Sequence, residues 1–175
     1  MSERLFIAIN FDDKARSDLA ALRDDIKKHA KRCSPVRTDN IHMTLVFIGD
    51  CDPPQTSVIR TLMNGMRFRE FGMKIESIGR FRRGGGSLWW AGVSENKELN
   101  ALQRELTEKL VSAGFDVDRR DYSPHITLAR EVVTDEGPRQ TAPIHQKVSS
   151  MELMRSEYVE GRLRYTAIHS KRADQ

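Results

Sequence analysis

The chain has 175 residues, 38% of them hydrophobic and 31% charged, with a net charge of +4 at pH 7. Those proportions describe an ordinary globular chain and exclude a disordered polyelectrolyte; no run approaches the ~20 apolar residues that a membrane span requires. Two cysteines, Cys33 and Cys51, have no metal-type spacing and no partner framework and point to free thiols, with a lone disulfide as the alternative, while the mild basic excess is compatible with a polyanionic partner without demanding one.

The opening Met1-Ser2-Glu3-Arg4 leads into five apolar residues, Leu5 to Ile9. That is shorter than the roughly 7 to 15 of a signal peptide's apolar region, so a cytoplasmic location is expected. Residues 5–10 read as a first strand. Residues 13–31 place Leu19, Leu22 and Ile26 at helical spacing among charges, the pattern of an amphipathic helix. Residues 41–49 form a short run rich in Val, Leu, Ile, Thr and Phe, which reads as a strand. Asp52-Pro53-Pro54 marks a turn, and residues 55–66 carry Val58, Ile59, Leu62, Met63 and Met66 at helical intervals.

Residues 71–81 and 87–93 read as a hairpin joined by Arg82-Arg83-Gly84-Gly85-Gly86. Residues 96–113 repeat the amphipathic pattern with Leu99, Leu102, Leu106 and Leu110, and Gly114 is placed to stop a helix. A second motif strand follows at 123–129. Residues 134–143, with Gly137, Pro138 and Pro143, read as a loop before strands near 147–154 and 162–169. No linker separates independent units, so one domain over residues 1–175 is expected.

Two tetrapeptides of one form, His42-Met43-Thr44-Leu45 and His125-Ile126-Thr127-Leu128, stand 83 residues apart in a chain with five histidines. Chance placement at this composition gives roughly 0.02 such matches, so the doubling is a signal. On a strand, His42 and Thr44 share one face and Met43 and Leu45 the other; His125 and Thr127 oppose Ile126 and Leu128 in the same way. Each strand presents an imidazole beside a hydroxyl and anchors itself in a core with its other face. An imidazole exists in either protonation state near neutral pH, so two of them can serve as base and acid around one phosphate. The histidines alternate with hydroxyls, and no Cys or carboxylate cluster completes a metal-ligand set, so neither a metal nor another cofactor is expected.

The duplicated motif, the opening Arg4-Leu5-Phe6-Ile7-Ala8-Ile9, Phe47-Ile48-Gly49 and the run Ser123-Pro124-His125-Ile126-Thr127-Leu128-Ala129-Arg130 together resemble the 2H phosphoesterases. The resemblance is to their RNA 2',3'-cyclic phosphodiesterase branch, historically called 2'-5' RNA ligases, and runs from about residue 4 to about residue 168. It implies an α+β fold of two pseudo-symmetric lobes, each an antiparallel sheet with helices, around a central cleft. It also implies that His42 protonates the leaving 3' oxygen and His125 activates water, giving a 2'-phosphate. Thr44 and Thr127 would bind the phosphate, and the partner would be RNA with a 2',3'-cyclic phosphate end or a cyclic nucleotide. Arg130 matches a substrate-binding arginine of that branch, although simple alternation sets it opposite His125 and Thr127, so it needs a strand end or a bulge to reach the cleft. A monomer is expected.

Other cyclic or 2'-5' phosphodiester substrates, reversible 2'-5' ligation and a non-catalytic nucleotide- or RNA-binding module remain alternatives. His29, His145 and His169 lack matching partners and read as surface or structural residues. Phe47, Trp89, Trp90 and Tyr122 offer rings for stacking on a base, though core packing is expected for most of them. Arg80, Arg82 and Arg83 offer cations to RNA phosphates, against the commoner reading of a solvated hairpin tip.

Overall fold

The computed structural model describes residues 1–175, folded as nine strands and three α-helices. In chain order these are β1 (Glu3–Ile9), α1 (Asp13–His29), β2 (Ala30–Pro35), β3 (Met43–Cys51), α2 (Pro53–Asn64), β4 (Phe71–Phe81), β5 (Ser87–Val93), α3 (Lys97–Ser112), β6 (His125–Thr134), β7 (Arg139–Val148), β8 (Ser150–Val159) and β9 (Arg162–Arg172). One antiparallel sheet has the order β3-β1-β8-β9 and the other β2-β6-β5-β4-β7. The two motifs therefore lie on different sheets, β3 at the edge of the smaller and β6 inside the larger. This is the expected α+β architecture of two sheets with helices.

Local chemistry sets the helix ends. The Asp12 carboxylate accepts from the Ala15 amide at 2.8 Å and caps α1, and Asn96 does the same for α3 through the Leu99 amide at 3.0 Å. α2 opens with a reciprocal capping box between Asp52 and Gln55 and with prolines in its first turn, where a missing N–H costs nothing. Gly114, at φ +96°, ends α3 with the Phe115 amide bonded back to Leu110, a left-handed cap that glycine adopts without strain.

Each helix does not simply cover the sheet that follows it. α1 precedes the first motif strand yet packs on β2, β6 and β7 of the larger sheet, while α3 reaches β3 of the smaller one as well as β4. The lobes are thus interlocked, and one cluster of 33 buried residues, from Leu5 and Ile7 to Met151 and Leu153, runs through both. None of the helices is long and apolar enough to cross a membrane. Cys33 and Cys51 are unpaired.

Several expected boundaries move. The first helix stops at His29, and residues 30–35 form β2, an edge strand whose pattern is mostly exposed and so lacks an apolar signature. The segment 134–143 is not all loop, because β7 begins at Arg139 and carries Pro143 within it. Its neighbour on the far side is absent, since β7 is an edge strand, where a missing donor is tolerated. The strand expected near 147–154 is the join of two strands around Ser149.

Candidate active site

The two motif histidines are held in the same way. His42 Nδ1 lies 2.7 Å from the Asn40 carbonyl oxygen, and His125 Nδ1 lies 2.8 Å from that of Ser123, in each case the residue two positions earlier. A carbonyl can only accept, so each Nδ1 carries the proton and each Nε2 is left for other chemistry. For His42 that atom meets the Thr44 hydroxyl at 3.0 Å. Asn40 is buried and is itself pinned by its side-chain amide, which donates to the Leu163 carbonyl at 2.9 Å. His42 sits one residue before β3, and His125 is the first residue of β6.

A cleft of about 530 Å³ is lined by His42, Thr44, Thr127 and Arg130 together with residues of β1, β8 and β9. His125 stands beside it with its ring edge-on to Phe81 at 5.2 Å, near enough to His42 for its charge to act there. Arg130 reaches the cleft because β6 is bulged. Trp90 pairs with Thr127 but the next residue, Trp89, pairs with Ala129, leaving Leu128 as an extra residue. Leu128 and Ala129 are consequently both buried, and Arg130 turns to the same side as Thr127. β3 does the same thing: Ala8 pairs with Thr44 and Ile7 with Val46, so Leu45 is the extra residue, and Phe47 is turned to the cleft. The leucine of each tetrapeptide is thus the bulge, and the fifth residue after each histidine, Phe47 or Arg130, enters the site.

Aromatic rings flank both imidazoles. Phe6 and Tyr165 lie 4.9 and 5.0 Å from His42, ring centre to ring centre, and Phe81 and Trp90 lie 5.2 and 6.3 Å from His125. The Trp90 indole lies against the backbone of its own sheet: a Cβ on Gly79 would come within 2.3 Å of it and one on Gly92 within 3.0 Å. Glycine at these positions is a condition for the ring's placement.

Residues 11–164 match the family model described as the 2'-5' RNA ligase superfamily. The chain belongs to this superfamily. A protein of Archaeoglobus fulgidus named RNA 2',3'-cyclic phosphodiesterase is 29% identical over 169 residues, covering 96% of this chain and 93% of that one. A Geobacillus stearothermophilus protein of the same name is 30% identical over 129 residues, 72% of this chain, and the chain spans 41% of that relative's length. The crystal structure of Escherichia coli LigT complexed with 3'-AMP has the same fold, with a TM-score of 0.88 over 100% of both chains at 24% identity.

Within this superfamily fold, the surroundings of His42 oppose its charging. Burial pushes the His42 pKa below its ordinary 6.5; the Asn40 carbonyl opposes this, and the charges of Arg130, Arg16 and His125 add to it. The cleft wall carries two guanidiniums, Arg4 and Arg130, and no carboxylate. Elsewhere no three His, Cys, Asp or Glu side chains converge as a metal-binding group.

Several contacts of the site differ from what the residue types alone suggested. The Tyr122 hydroxyl, offered above as a stacking ring, instead donates to the Thr44 carbonyl at 2.7 Å, and Gln103 of α3 donates to the Leu45 carbonyl at 3.3 Å. The edge of β3 is thereby tied to the opposite lobe beside its bulge. Trp89 is a core residue, while Phe47 is exposed on the cleft wall. Arg80 is engaged by the Glu136 carbonyl and lies over Trp89, away from the cleft lining. The turn residues Thr38-Asp39-Asn40 ahead of His42 were the one visible sign of Asn40; Phe6, Tyr165 and Phe81 looked like ordinary strand aromatics.

Proposed function

We propose that this chain hydrolyses the 2',3'-cyclic phosphate ends of RNA to 2'-phosphomonoesters, without a metal, using His42 and His125 as acid and base. The observation that carries the reading is the matched pair of imidazoles, each with Nδ1 fixed by a backbone carbonyl, at a cleft furnished with hydroxyls and guanidiniums and free of carboxylates. Relatives named RNA 2',3'-cyclic phosphodiesterase support it.

His125 Nε2 takes a proton from water as the water oxygen attacks phosphorus. The bond from phosphorus to O3' breaks, its electron pair goes to O3', and His42 supplies the proton that makes the 3' hydroxyl. The bond to O2' is retained, so the product is a 2'-phosphate. The hydroxyls of Thr44 and Thr127 donate to the non-bridging oxygens, and Arg130 offsets the charge that develops there. Burial and Arg130 hold His42 towards its neutral form. The negative charge of a bound cyclic phosphate acts in the opposite direction, so the substrate itself charges the acid.

The test is incubation with adenosine 2',3'-cyclic phosphate in EDTA, with the product isomer identified by phosphorus NMR. Adenosine 2'-phosphate is expected. No turnover, or turnover only on addition of zinc or manganese, overturns the reading. Mainly 3'-phosphate means that the two histidines exchange roles.

A further inference from the structure

His42 is oriented through one atom outside its motif, the Asn40 carbonyl oxygen that receives the Nδ1 proton. That oxygen belongs to the peptide group joining Asn40 to Ile41, both buried. Burial fixes the two ends of a planar group but not its tilt about the line between them. The tilt is set by what its carbonyl and its N–H meet on opposite sides. The Ile41 N–H donates to the Thr38 carbonyl at 3.2 Å. The aim of the Asn40 carbonyl at His42 therefore depends on where Thr38 stands.

Thr38 has no apolar hold of its own. Residues 37–39 are exposed, and the turn Thr38–Asn40 carries the chain from β2 of the larger sheet to β3 of the smaller. Helix α1 supplies the hold instead. Arg16 and Arg23 are about two helical turns apart and so lie on one face of α1. Arg16 Nη1 donates to the Thr38 carbonyl at 3.1 Å and to the Asp39 carbonyl at 3.3 Å, and its Nη2 to the Phe11 carbonyl at 3.3 Å. Arg23 Nη1 donates to the Val36 carbonyl and to the Thr38 hydroxyl, both at 2.9 Å. A guanidinium suits this task because its donors are set in a rigid fork. The Thr38 carbonyl thus takes two donors, Arg16 on one side and the Ile41 N–H on the other.

The second motif meets the same need without an outside brace. Its anchoring carbonyl, that of Ser123, belongs to the peptide group before Pro124, which has no N–H to place and whose ring fixes φ. The first motif has Ile41 at the matching position. We propose that Arg16 is a positioning residue for His42, clamping the Thr38 and Asp39 carbonyls so that the Asn40–Ile41 peptide holds Nδ1 and leaves Nε2 aimed into the cleft. Arg16 does not line the cleft, and it acts through backbone atoms alone. This role rests on the hydrolase reading above for what His42 does with its proton.

Three variants of the full chain test it. Arg16→Met keeps an unbranched apolar stem and removes the fork; Arg16→Lys keeps the charge and puts one ammonium in place of the fork. Lys14→Met removes a cation of the same helix that pairs with Asp18, and serves as the control. Nitrogen NMR, at a pH where both imidazoles are neutral, reads which ring nitrogen carries the proton. His42 should be the Nδ1–H form in the wild type, and the Nε2–H form should appear at His42 in Arg16→Met while His125 keeps its wild-type spectrum. Kinetics on cyclic phosphate then separate aim from charge. The charges that bear on His42 are those of Arg130, Arg16 and His125, so loss of the Arg16 charge alone would move the alkaline limb of kcat/KM to higher pH without lowering its maximum. Loss of aim lowers the maximum itself, by about 10-fold to 10²-fold in Arg16→Met, the upper figure being that for a catalytic group displaced by about 1 Å, and the loss should fall on kcat and not on KM. Arg16→Lys should show a smaller loss of the same kind with the limb in place. A folded Arg16→Met with the wild-type His42 spectrum and maximum overturns the assignment, as does a limb that moves with no loss at the maximum, or an equal loss in Lys14→Met. Should Arg16→Met fail to fold, a wild-type spectrum and maximum in Arg16→Lys overturns it. If the wild type turns over no cyclic phosphate, the His42 spectrum alone decides the clamp, and the hydrolase reading falls separately.

Discussion

Tyr122→Phe isolates the tie between the two lobes. β3 is an edge strand, and the Tyr122 hydroxyl of the segment leading into β6 donates to the Thr44 carbonyl at 2.7 Å, beside the bulge that shapes the first motif. Phenylalanine keeps the ring and its packing and removes this one donor. The bond is desolvated: burial alone pushes the Tyr122 phenol well above its ordinary pKa. Leaving a buried carbonyl without its donor costs about 1 to 3 kcal/mol. At about 2 to 4 °C per kcal/mol for a chain of this length, the melting temperature should fall by about 2 to 12 °C. The same bond sets where Thr44 and His42 stand relative to His125, three residues after Tyr122, so kcat should fall as well. Displacement of a catalytic group by about 1 Å costs up to ~10²-fold. Differential scanning calorimetry and steady-state kinetics on cyclic phosphate measure the two effects. A melting temperature within about 1 °C of wild type, with kcat unchanged, refutes the idea that this bond braces the site.

His42→Ala and His125→Ala should each reduce turnover of cyclic phosphate by at least ~10²-fold while circular dichroism stays that of the wild type, and wild-type turnover in either folded variant contradicts the paired mechanism. The pH profile should be bell-shaped. Since His42 titrates below 6.5 in the free chain and must be charged to act as the acid, the alkaline limb of kcat/KM should lie on the acid side of that value; the limb in kcat should move up, because bound phosphate favours the charged form. Both limbs describe the coupled pair, so coincident limbs above pH 7 in the two plots would argue against His42 as the acid. Gly79→Ala, whose Cβ would fall within 2.3 Å of the Trp90 ring, should cost about 1 to 3 kcal/mol and shift tryptophan fluorescence, as read by calorimetry and emission spectra; an unaltered spectrum and melting temperature would mean that the ring moves freely.

What the sequence made legible was whatever has a period or a cap. The leucines of α3, Leu99, Leu102, Leu106 and Leu110, are all buried at the spacing that announced the helix. β2 escaped notice because its residues are mostly exposed and it is recruited by pairing with β6 across about a hundred positions. β7 was hidden for a similar reason: an edge strand tolerates a proline that would argue against a central one. Arg130 marks the finer boundary. Alternation set it on the wrong face and named a strand end or a bulge as the remedy; the bulge is there, at Leu128, but nothing in the residue type announces it. Tyr122 could not be placed from sequence, because its partner is a carbonyl in the other lobe and backbone atoms carry no sequence signal.

The doubled motif supplies two equivalent frames, and acid–base chemistry needs inequivalent groups. The frames are alike in detail: a histidine anchored through Nδ1 to the carbonyl two residues back, a threonine beside it, and a bulge at the leucine that turns the fifth residue inward. The difference enters at that fifth position and around it. After His125 it is Arg130, a cation that bears on His42 across the cleft; after His42 it is Phe47, an uncharged ring. The His42 Nε2 also meets its own threonine, and burial depresses the His42 pKa. Two like frames therefore have unlike surroundings, with the arginine of one half acting on the imidazole of the other. Removing the charge at that position, Arg130→Gln, should relieve that part of the bias on His42. The measurement is the NMR titration of the His42 imidazole in that variant: a rise in the His42 pKa is expected, and an unmoved His42 would assign its depression to burial and not to Arg130.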